Sequence, residues 1–85
     1  MYKIVYSSRA KKKDLPLIPE PYKENIQKNI YKKLSIDPYK FGEPLCGDLK
    51  GKWKLRVGKY RVIYKIVDQE VTVLILEINV RGDVY

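Results

Sequence analysis

The segment from Lys50 to Arg61, KGKWKLRVGKYR, alternates cationic and apolar side chains over most of its length. A cation stands at every second position from Lys50 to Arg56, and Trp53, Leu55 and Val57 fill the alternate positions. Because successive side chains of a β-strand point to opposite faces, this spacing predicts a strand with one cationic and one apolar face. The apolar face can pack on a core. A row of like charges costs self-repulsion, so the cationic face favours binding to a polyanion such as nucleic acid.

The size and charge of the chain restrict the function further. Its 85 residues suit one domain with a small core, and we expect residues 1–85 to form it. Eighteen Lys and Arg residues against ten Asp and Glu give a net charge of +8, which favours nucleic acid, an acidic partner or both. A merely soluble surface is the simpler alternative. The hydrophobic fraction of 45% is too high for a disordered basic tail.

Several residue types are rare or absent, and each absence excludes a class of site. Cys46 is the only cysteine, so a disulfide framework and a Cys cluster for zinc are excluded. We find no export signal and no apolar run of the ~20 residues that cross a bilayer, which predicts a cytoplasmic protein without a membrane partner. Histidine, the commonest general base and metal ligand, is absent. We expect no metal or other cofactor, and catalysis by Lys, Arg, Tyr or a carboxylate.

Hydrophobic patterns divide the chain into a short strand, two helices and three further strands. The second helix is marked by apolar side chains that recur every four residues from Tyr22 to Leu34. The last strand is apolar on both faces, as is typical of a central strand. The predicted elements are a strand at 2–6, a helix at 9–15 stopped by Pro16, a helix ending near 35, a loop at 37–51 and strands at 52–57, 60–67 and 71–78. We therefore expect an α+β domain of order β-α-α-β-β-β, with two helices packed on an antiparallel sheet.

Three sequence blocks are specific in combination. They are the loop from Pro38 to Leu49, the segment LRVGKYRVIY from Leu55 to Tyr64, and the ending RGDVY. Together with the order of elements, they resemble the RelE/ParE superfamily of toxins from bacterial and archaeal toxin–antitoxin systems. The resemblance covers nearly the whole chain and implies a RelE-like microbial ribonuclease fold.

The same resemblance implies two different activities. RelE-like members cut messenger RNA in the ribosomal A site, whereas ParE-like members inhibit DNA gyrase without cleavage residues. Lys52, Lys54, Arg61, Arg81 and Tyr85 match the functional positions of RelE-like toxins. The full set favours a metal-independent, ribosome-dependent endoribonuclease that uses the 2′-hydroxyl of RNA as nucleophile. The alternatives are a ParE-like inhibitor of gyrase and a degenerate member that keeps only its antitoxin complex.

Residue chemistry suggests roles for these five side chains. Arg61 and Arg81 present planar forks of N–H groups that bind phosphate oxygens and would stabilise the transition state. Lys52 and Lys54 lie among like charges, which disfavour the protonated form, so one of them could act as the base. Tyr85 could be an acid, a base or a platform that stacks on a nucleobase. As the terminal residue it is also where a chain commonly frays.

Structural alternatives exist for the same residues. Lysines on an edge strand discourage aggregation, and Arg61 could pair with Asp83 or Glu77. Many members of the superfamily carry histidine immediately before the arginine that matches Arg81, where this chain has Val80. The resemblance therefore does not extend to a histidine-based proton transfer.

The resemblance also implies two partners. The first is a RelB-like antitoxin, whose acidic and largely helical segment would wrap the basic surface and order as it binds. The second is the ribosome with its messenger RNA, because the charge exceeds what one phosphate needs. Lys50, Arg56 and Lys59 would extend the RNA-binding surface beyond the five matched residues.

Overall fold

A five-stranded mixed sheet is the framework of the protein in the computed structural model, which describes residues 1–80. Its strands are β1 (Lys3–Tyr6), β2 (Glu43–Pro44), β3 (Trp53–Val57), β4 (Tyr60–Val67) and β5 (Thr72–Val80). The order across the sheet is β1-β5-β4-β3-β2. β1 runs parallel to β5, and the other neighbours are antiparallel. The strand that the sequence marks as central, β5, is flanked on both sides.

Three helices pack against this sheet. α1 is π-helical over Ala10–Asp14 and ends in a 3-10 turn at Leu15–Leu17. α2 is α-helical over Glu20–Asn29 and π-helical over Ile30–Leu34, and α3 is Pro38–Phe41. None of the helices in residues 1–80 has the length and apolar stretch that crossing a bilayer requires.

The apolar stripe of α2 forms the centre of the core, as its spacing predicts. Ile26, Ile30 and Leu34 are buried, while Tyr22 at the start of the helix is half exposed. Residues four apart in an α-helix lie roughly 40° further round the axis at each step, so a longer stripe would drift off the sheet. The π-helical segment has more residues per turn, which offsets this drift, and Leu34 is buried together with Ile26 and Ile30.

The predicted α+β class and element order are confirmed, with corrections in two places. The sheet is mixed rather than antiparallel, because β1 lies beside β5 in parallel. The prediction of a loop at 37–51 was wrong for α3 and β2, and a 3-10 turn occupies Gly47–Leu49. The Asp37 carboxylate caps α3 by accepting from two backbone N–H groups. Pro38 starts this helix rather than breaking it, as proline does in a first turn.

Asp68, in the turn between β4 and β5, joins three separate parts of the chain. Its carboxylate accepts hydrogen bonds from the hydroxyl of Tyr39 in α3 and from that of Tyr2, 2.8 Å away, before β1. These donors, Tyr39 foremost, hold the pKa of Asp68 below its ordinary value, because they favour the charged form. The same bond to Asp68 raises the pKa of Tyr39 to about 12.

This cluster predicts how stability depends on pH. A carboxyl group with a lowered pKa in the folded state stabilises the fold above its unfolded pKa, and that contribution is lost as the pH falls through the folded pKa. We expect Asp68→Asn to be less stable than the parent at neutral pH. The difference should shrink between about pH 5 and about pH 2. Urea unfolding across this range measures it, with Glu24→Gln, an exposed substitution on α2, as the control. A difference that does not change with pH would contradict the assignment.

Candidate active site

The helices cover only one face of the sheet, and the other face carries cations. Leu55, Val57, Val62 and Tyr64 belong to the core cluster with the helices. The residues that alternate with them on β3 and β4 lie on the opposite side, which we call the open face. Its cations on these two strands are Lys54, Arg56, Arg61 and Lys65.

The strand register brings three of these cations close together. Arg56 lies directly opposite Arg61, and Lys54 is one pair further along, opposite Ile63. Like charges directly opposite each other in a sheet are destabilising. Among residues 1–80, neither Lys54 nor Arg56 forms an ion pair that would offset this cost. The arrangement is suited to an anion that approaches the open face from outside.

The three cations of this group differ in exposure. Arg61 is buried, at 9% exposure, whereas Arg56 is exposed and Lys54 is half-buried. A buried guanidinium is held in one position, and an exposed one can follow a ligand. The structure therefore gives Arg61 a fixed place in the group, directly opposite Arg56.

The predicted lysines outside the strands take different positions. β3 begins at Trp53, so Lys52 precedes the strand and Lys50 lies in an exposed turn. The cationic row of the sequence is thus a strand feature only at Lys54 and Arg56. Lys52 is half-buried, and its carbonyl accepts a hydrogen bond from the Leu45 N–H at 2.9 Å.

Lys59 is separated from the open face. It lies in the turn between β3 and β4, where its Nζ is 5.1 Å from the centre of the Tyr22 ring and 5.7 Å from that of Tyr60. Both rings lie on the helix side of the sheet. A role in RNA binding for Lys59 would therefore be at the rim of the domain. Arg81 and Tyr85, the other two matched residues, lie outside the described residues.

Glu77, which the sequence suggests only as a partner for Arg61, lies beside the cations. In β5, Glu77 is opposite Ile63 and Asn79 is opposite Arg61. The Asn79 Nδ2 donates to Glu77 Oε1 at 2.7 Å, and Arg9 Nη2 is 3.7 Å from the same oxygen. The signal available in the sequence was that Glu77 and Asn79 are the only two polar residues in the interior of an otherwise apolar strand. In residues 1–80 no group of three or more His, Cys, Asp or Glu residues is placed to hold a metal ion.

Contacts of α1 with the edge of β5 hold this end of the strand. The Asp14 carboxylate accepts from the Ile78 N–H at 3.0 Å, and Arg9 Nε is 3.7 Å from the same oxygen. The Ser7 hydroxyl donates to the Leu76 carbonyl at 2.8 Å and accepts from the Ala10 N–H at 3.1 Å. The second bond satisfies a backbone N–H group in the first turn of α1. Beyond the end of β1, side chains therefore form hydrogen bonds with the backbone groups at the edge of β5.

Tyr64, on the helix side of the sheet, fixes the segment of chain before β3. Its hydroxyl donates to the Pro38 carbonyl at 2.6 Å, and burial raises the pKa of the phenol above its ordinary value, so it remains a donor. Gly42 leaves room for this ring, since a Cβ there would lie 1.7 Å from the Tyr64 oxygen. The ring of Trp53 stacks on Tyr64 with centres 6.4 Å apart. These contacts hold β2 and the start of β3 in place.

Comparisons with known proteins agree with this architecture. The family model for the ParE toxin of the type II toxin–antitoxin system parDE matches residues 4–85. Toxin RelG of Mycobacterium tuberculosis is 32% identical over 84 residues, which cover 99% of this chain and 95% of the relative. The chain belongs to the RelE/ParE family of type II toxin–antitoxin toxins. Toxin RelE of the same organism is 34% identical over 73 residues, which cover 86% of this chain and 75% of the relative.

Solved structures of this family share the fold. The toxin–antitoxin complex RelBE2 of Mycobacterium tuberculosis contains a chain that matches with a TM-score of 0.88 and 31% identity, covering 94% of this chain and 98% of that chain. The isolated RelE toxin of E. coli matches with a TM-score of 0.78 and covers 96% of this chain and 86% of that chain. Its identity is 17%, so it supports the fold alone. The predicted family membership is confirmed.

Proposed function

We propose that this toxin is a ribosome-dependent endoribonuclease that cleaves messenger RNA in the cytoplasm and thereby inhibits translation. The observation that carries the proposal is the group of Lys54, Arg56 and Arg61 on a sheet face that the helices leave uncovered. The two relatives named RelG and RelE, each more than 30% identical, support it. The five matched residues Lys52, Lys54, Arg61, Arg81 and Tyr85 are its catalytic candidates.

The chemistry of RNA cleavage without a metal explains why cations are needed. The 2′-hydroxyl attacks the adjacent phosphate, negative charge gathers on the phosphoryl oxygens, and the 5′-oxygen leaves. Arg61 is buried within the cationic group, so its fork is already held in place and can meet two phosphate oxygens with little further loss of side-chain freedom. Arg81 would add a second fork. Lys50, Arg56 and Lys59 would bind more distant phosphates of the RNA.

An acidic antitoxin is the second part of the proposal. A net charge of +8 on 85 residues attracts a segment of opposite charge and speeds its association. The related RelBE2 structure is described as a toxin–antitoxin complex. We propose that a RelB-like antitoxin covers the open face of this chain and so excludes RNA from it.

The alternative is inhibition of DNA gyrase without catalysis. The matching family model bears the name ParE, which favours it. Gyrase inhibition does not depend on cleavage residues. A supercoiling assay with the purified toxin separates the two: inhibition of gyrase without cuts in messenger RNA would overturn the ribonuclease proposal.

The ends of the RNA products give the direct test. When the toxin is added to a translating ribosome extract, we expect cuts in the bound messenger that leave a 2′,3′-cyclic phosphate and a 5′-hydroxyl. These ends mark attack by the 2′-hydroxyl. Primer extension locates the cuts, and enzymatic end-labelling identifies the ends. Products with a 3′-hydroxyl and a 5′-phosphate would contradict the mechanism even if the protein is a nuclease.

A further inference from the structure

The open face holds a carboxylate in a position that suits proton transfer. Lys54, Ile63 and Glu77 lie side by side on β3, β4 and β5. Adjacent strands are about 4.8 Å apart, so the backbones of Lys54 and Glu77 are roughly 10 Å apart, with the buried Ile63 between them. Arg61 is in the next row, two residues along β4. A phosphodiester above Ile63 would have a lysine on one side, a carboxylate on the other and an arginine beside it.

A break in the strand alternation produces this row. Tyr64 lies opposite Ile75, but Ile63 lies opposite Glu77, so Leu76 is an extra residue in β5. Regular pairing would have placed Leu76 opposite Ile63. β-Bulges of this kind often re-aim a side chain beside an active site.

Glu77 is oriented as well as placed. One carboxylate oxygen accepts from Asn79 and is 3.7 Å from Arg9. Within residues 1–80 the other carboxylate that a strand carries on this face is Glu43, opposite Lys54 on β2. Glu43 is exposed, and no hydrogen bond or ion pair with a described residue orients it. Of the two, only Glu77 is held in the fixed geometry that a catalytic base needs.

We propose that Glu77 is the general base that accepts the proton of the RNA 2′-hydroxyl, with the ammonium of Lys54 as the general acid on the opposite side. This inference rests on the proposed ribonuclease function and assigns the base to a residue outside the five matched positions. It reassigns Lys54, since the sequence alone allows either lysine to be the base.

The step balances in atoms and charge. The 2′-oxygen forms a bond to phosphorus as its proton passes to the Glu77 carboxylate. The bond from phosphorus to the 5′-oxygen breaks, and that oxygen takes its electron pair and a proton from Lys54. The products are a 2′,3′-cyclic phosphate and a 5′-hydroxyl. In-line attack requires the entering and leaving oxygens on opposite sides of phosphorus. The proposed base and acid, Glu77 and Lys54, lie at opposite ends of the row, one for each oxygen. Exchange with water then removes the proton from Glu77 and restores the proton of Lys54.

The pH dependence of such a base is set by the charged groups around it. Glu77 is faced by cations from α1, β3 and β4 and by one carboxylate of α1: Arg9, Lys54, Arg56, Arg61, Lys65 and Asp14. A carboxylate base acts in its ionised form, so the rate should be flat near neutral pH and fall on the acid side. A lysine base would instead give a rate that rises above neutrality.

The first experiment measures single-turnover cleavage of ribosome-bound messenger against pH. We expect Glu77→Gln to slow the chemical step by about a hundredfold or more and to remove the acid limb. The matched control Glu24→Gln, on the far side of α2, should follow the parent. Parental activity in Glu77→Gln, an acid limb that persists in it, or loss of that limb in Glu43→Gln instead would each overturn the proposal.

If Glu77→Gln does not fold, Glu77→Asp replaces it. That variant should keep the acid limb at a lower rate, and a parental rate would overturn the proposal.

The second experiment separates the base from the acid. A messenger with sulfur in place of the 5′-oxygen at the cleavage site has a leaving group that needs little protonation. Lys54→Ala should regain most of its lost rate on this RNA, whereas Glu77→Gln should stay slow. Rescue of Glu77→Gln, or equal defects on both substrates, would overturn the assigned roles. A parent protein that cuts neither substrate would instead refute the ribonuclease proposal itself.

Discussion

Replacement of Arg61 by alanine is expected to lower the rate of messenger cleavage by a hundredfold or more and to abolish growth inhibition. Arg61 is buried on the open face, opposite Arg56 and beside Ile63. The proposed reaction places developing negative charge in front of it. Removal of one donor that stabilises such charge costs about 3 kcal/mol of barrier.

Two further variants show whether the guanidinium itself is responsible. Arg61→Lys keeps the positive charge but loses the planar fork, so we expect an intermediate rate. Lys28→Ala removes an exposed cation from α2, on the other side of the domain, and should cleave like the parent. Thermal unfolding must show that each variant is folded. An Arg61→Ala protein that is folded and fully toxic would refute catalysis at this site.

The same reasoning extends to Arg81, which lies outside the described residues. We expect Arg81→Ala to lose growth inhibition to a comparable degree, because it removes the second proposed fork. Growth of cells that express each variant without an antitoxin measures this effect. If both arginine variants are as toxic as the parent, binding to gyrase becomes the better explanation.

Alternation within β3 made the most informative part of the site predictable. Burial of Leu55 and Val57 forces Lys54 and Arg56 to the other face, because neighbouring side chains of a strand point apart. The position of Arg61 opposite Arg56 follows from the tight turn between the strands. Local patterns of this kind need no knowledge of the rest of the chain.

Other features depend on contacts between distant segments and could not be predicted in the same way. The parallel pairing of β1 with β5 joins residues about seventy positions apart, and no local pattern encodes it. The extra residue at Leu76 determines which side chain lies opposite Ile63, and an apolar run gives no sign of it. For this reason the sequence suggests Glu77 only as a partner for Arg61.

Lys59 illustrates the limit of counting charges. In the sequence it continues the cationic segment from Lys50 to Arg61. In the structure it lies at the hairpin turn, where Tyr22 and Tyr60 attract its ammonium by cation–π interaction. Residues in a turn do not follow the alternation of the strands. The charge pattern therefore predicts which side chains lie on the open face only within one strand.

Substitution of Gly42 by alanine is expected to destabilise the protein strongly, because the added methyl group overlaps a buried side chain. The new Cβ would lie 1.7 Å from the hydroxyl oxygen of Tyr64, 2.8 Å from its Cζ and 3.1 Å from the Lys54 carbonyl oxygen. Tyr64 is fully buried, and its hydroxyl is bonded to Pro38, so the ring has no space to move. The backbone of Gly42, at φ −107°, suits alanine, so the effect is one of packing alone.

The expected loss is about 3 kcal/mol, from overpacking together with a displaced hydrogen bond. For a domain of this size, that corresponds to a fall in Tm of more than about 10 °C. The control is Tyr64→Phe, which removes the hydroxyl. Because the two changes act on one contact, the double variant should be less destabilised than the sum of the single variants. Additive losses in urea unfolding would show that Gly42 and Tyr64 are not coupled. Since this contact holds α3 and β2 against β3, we also expect Gly42→Ala to be less toxic than the parent and the double variant to regain toxicity.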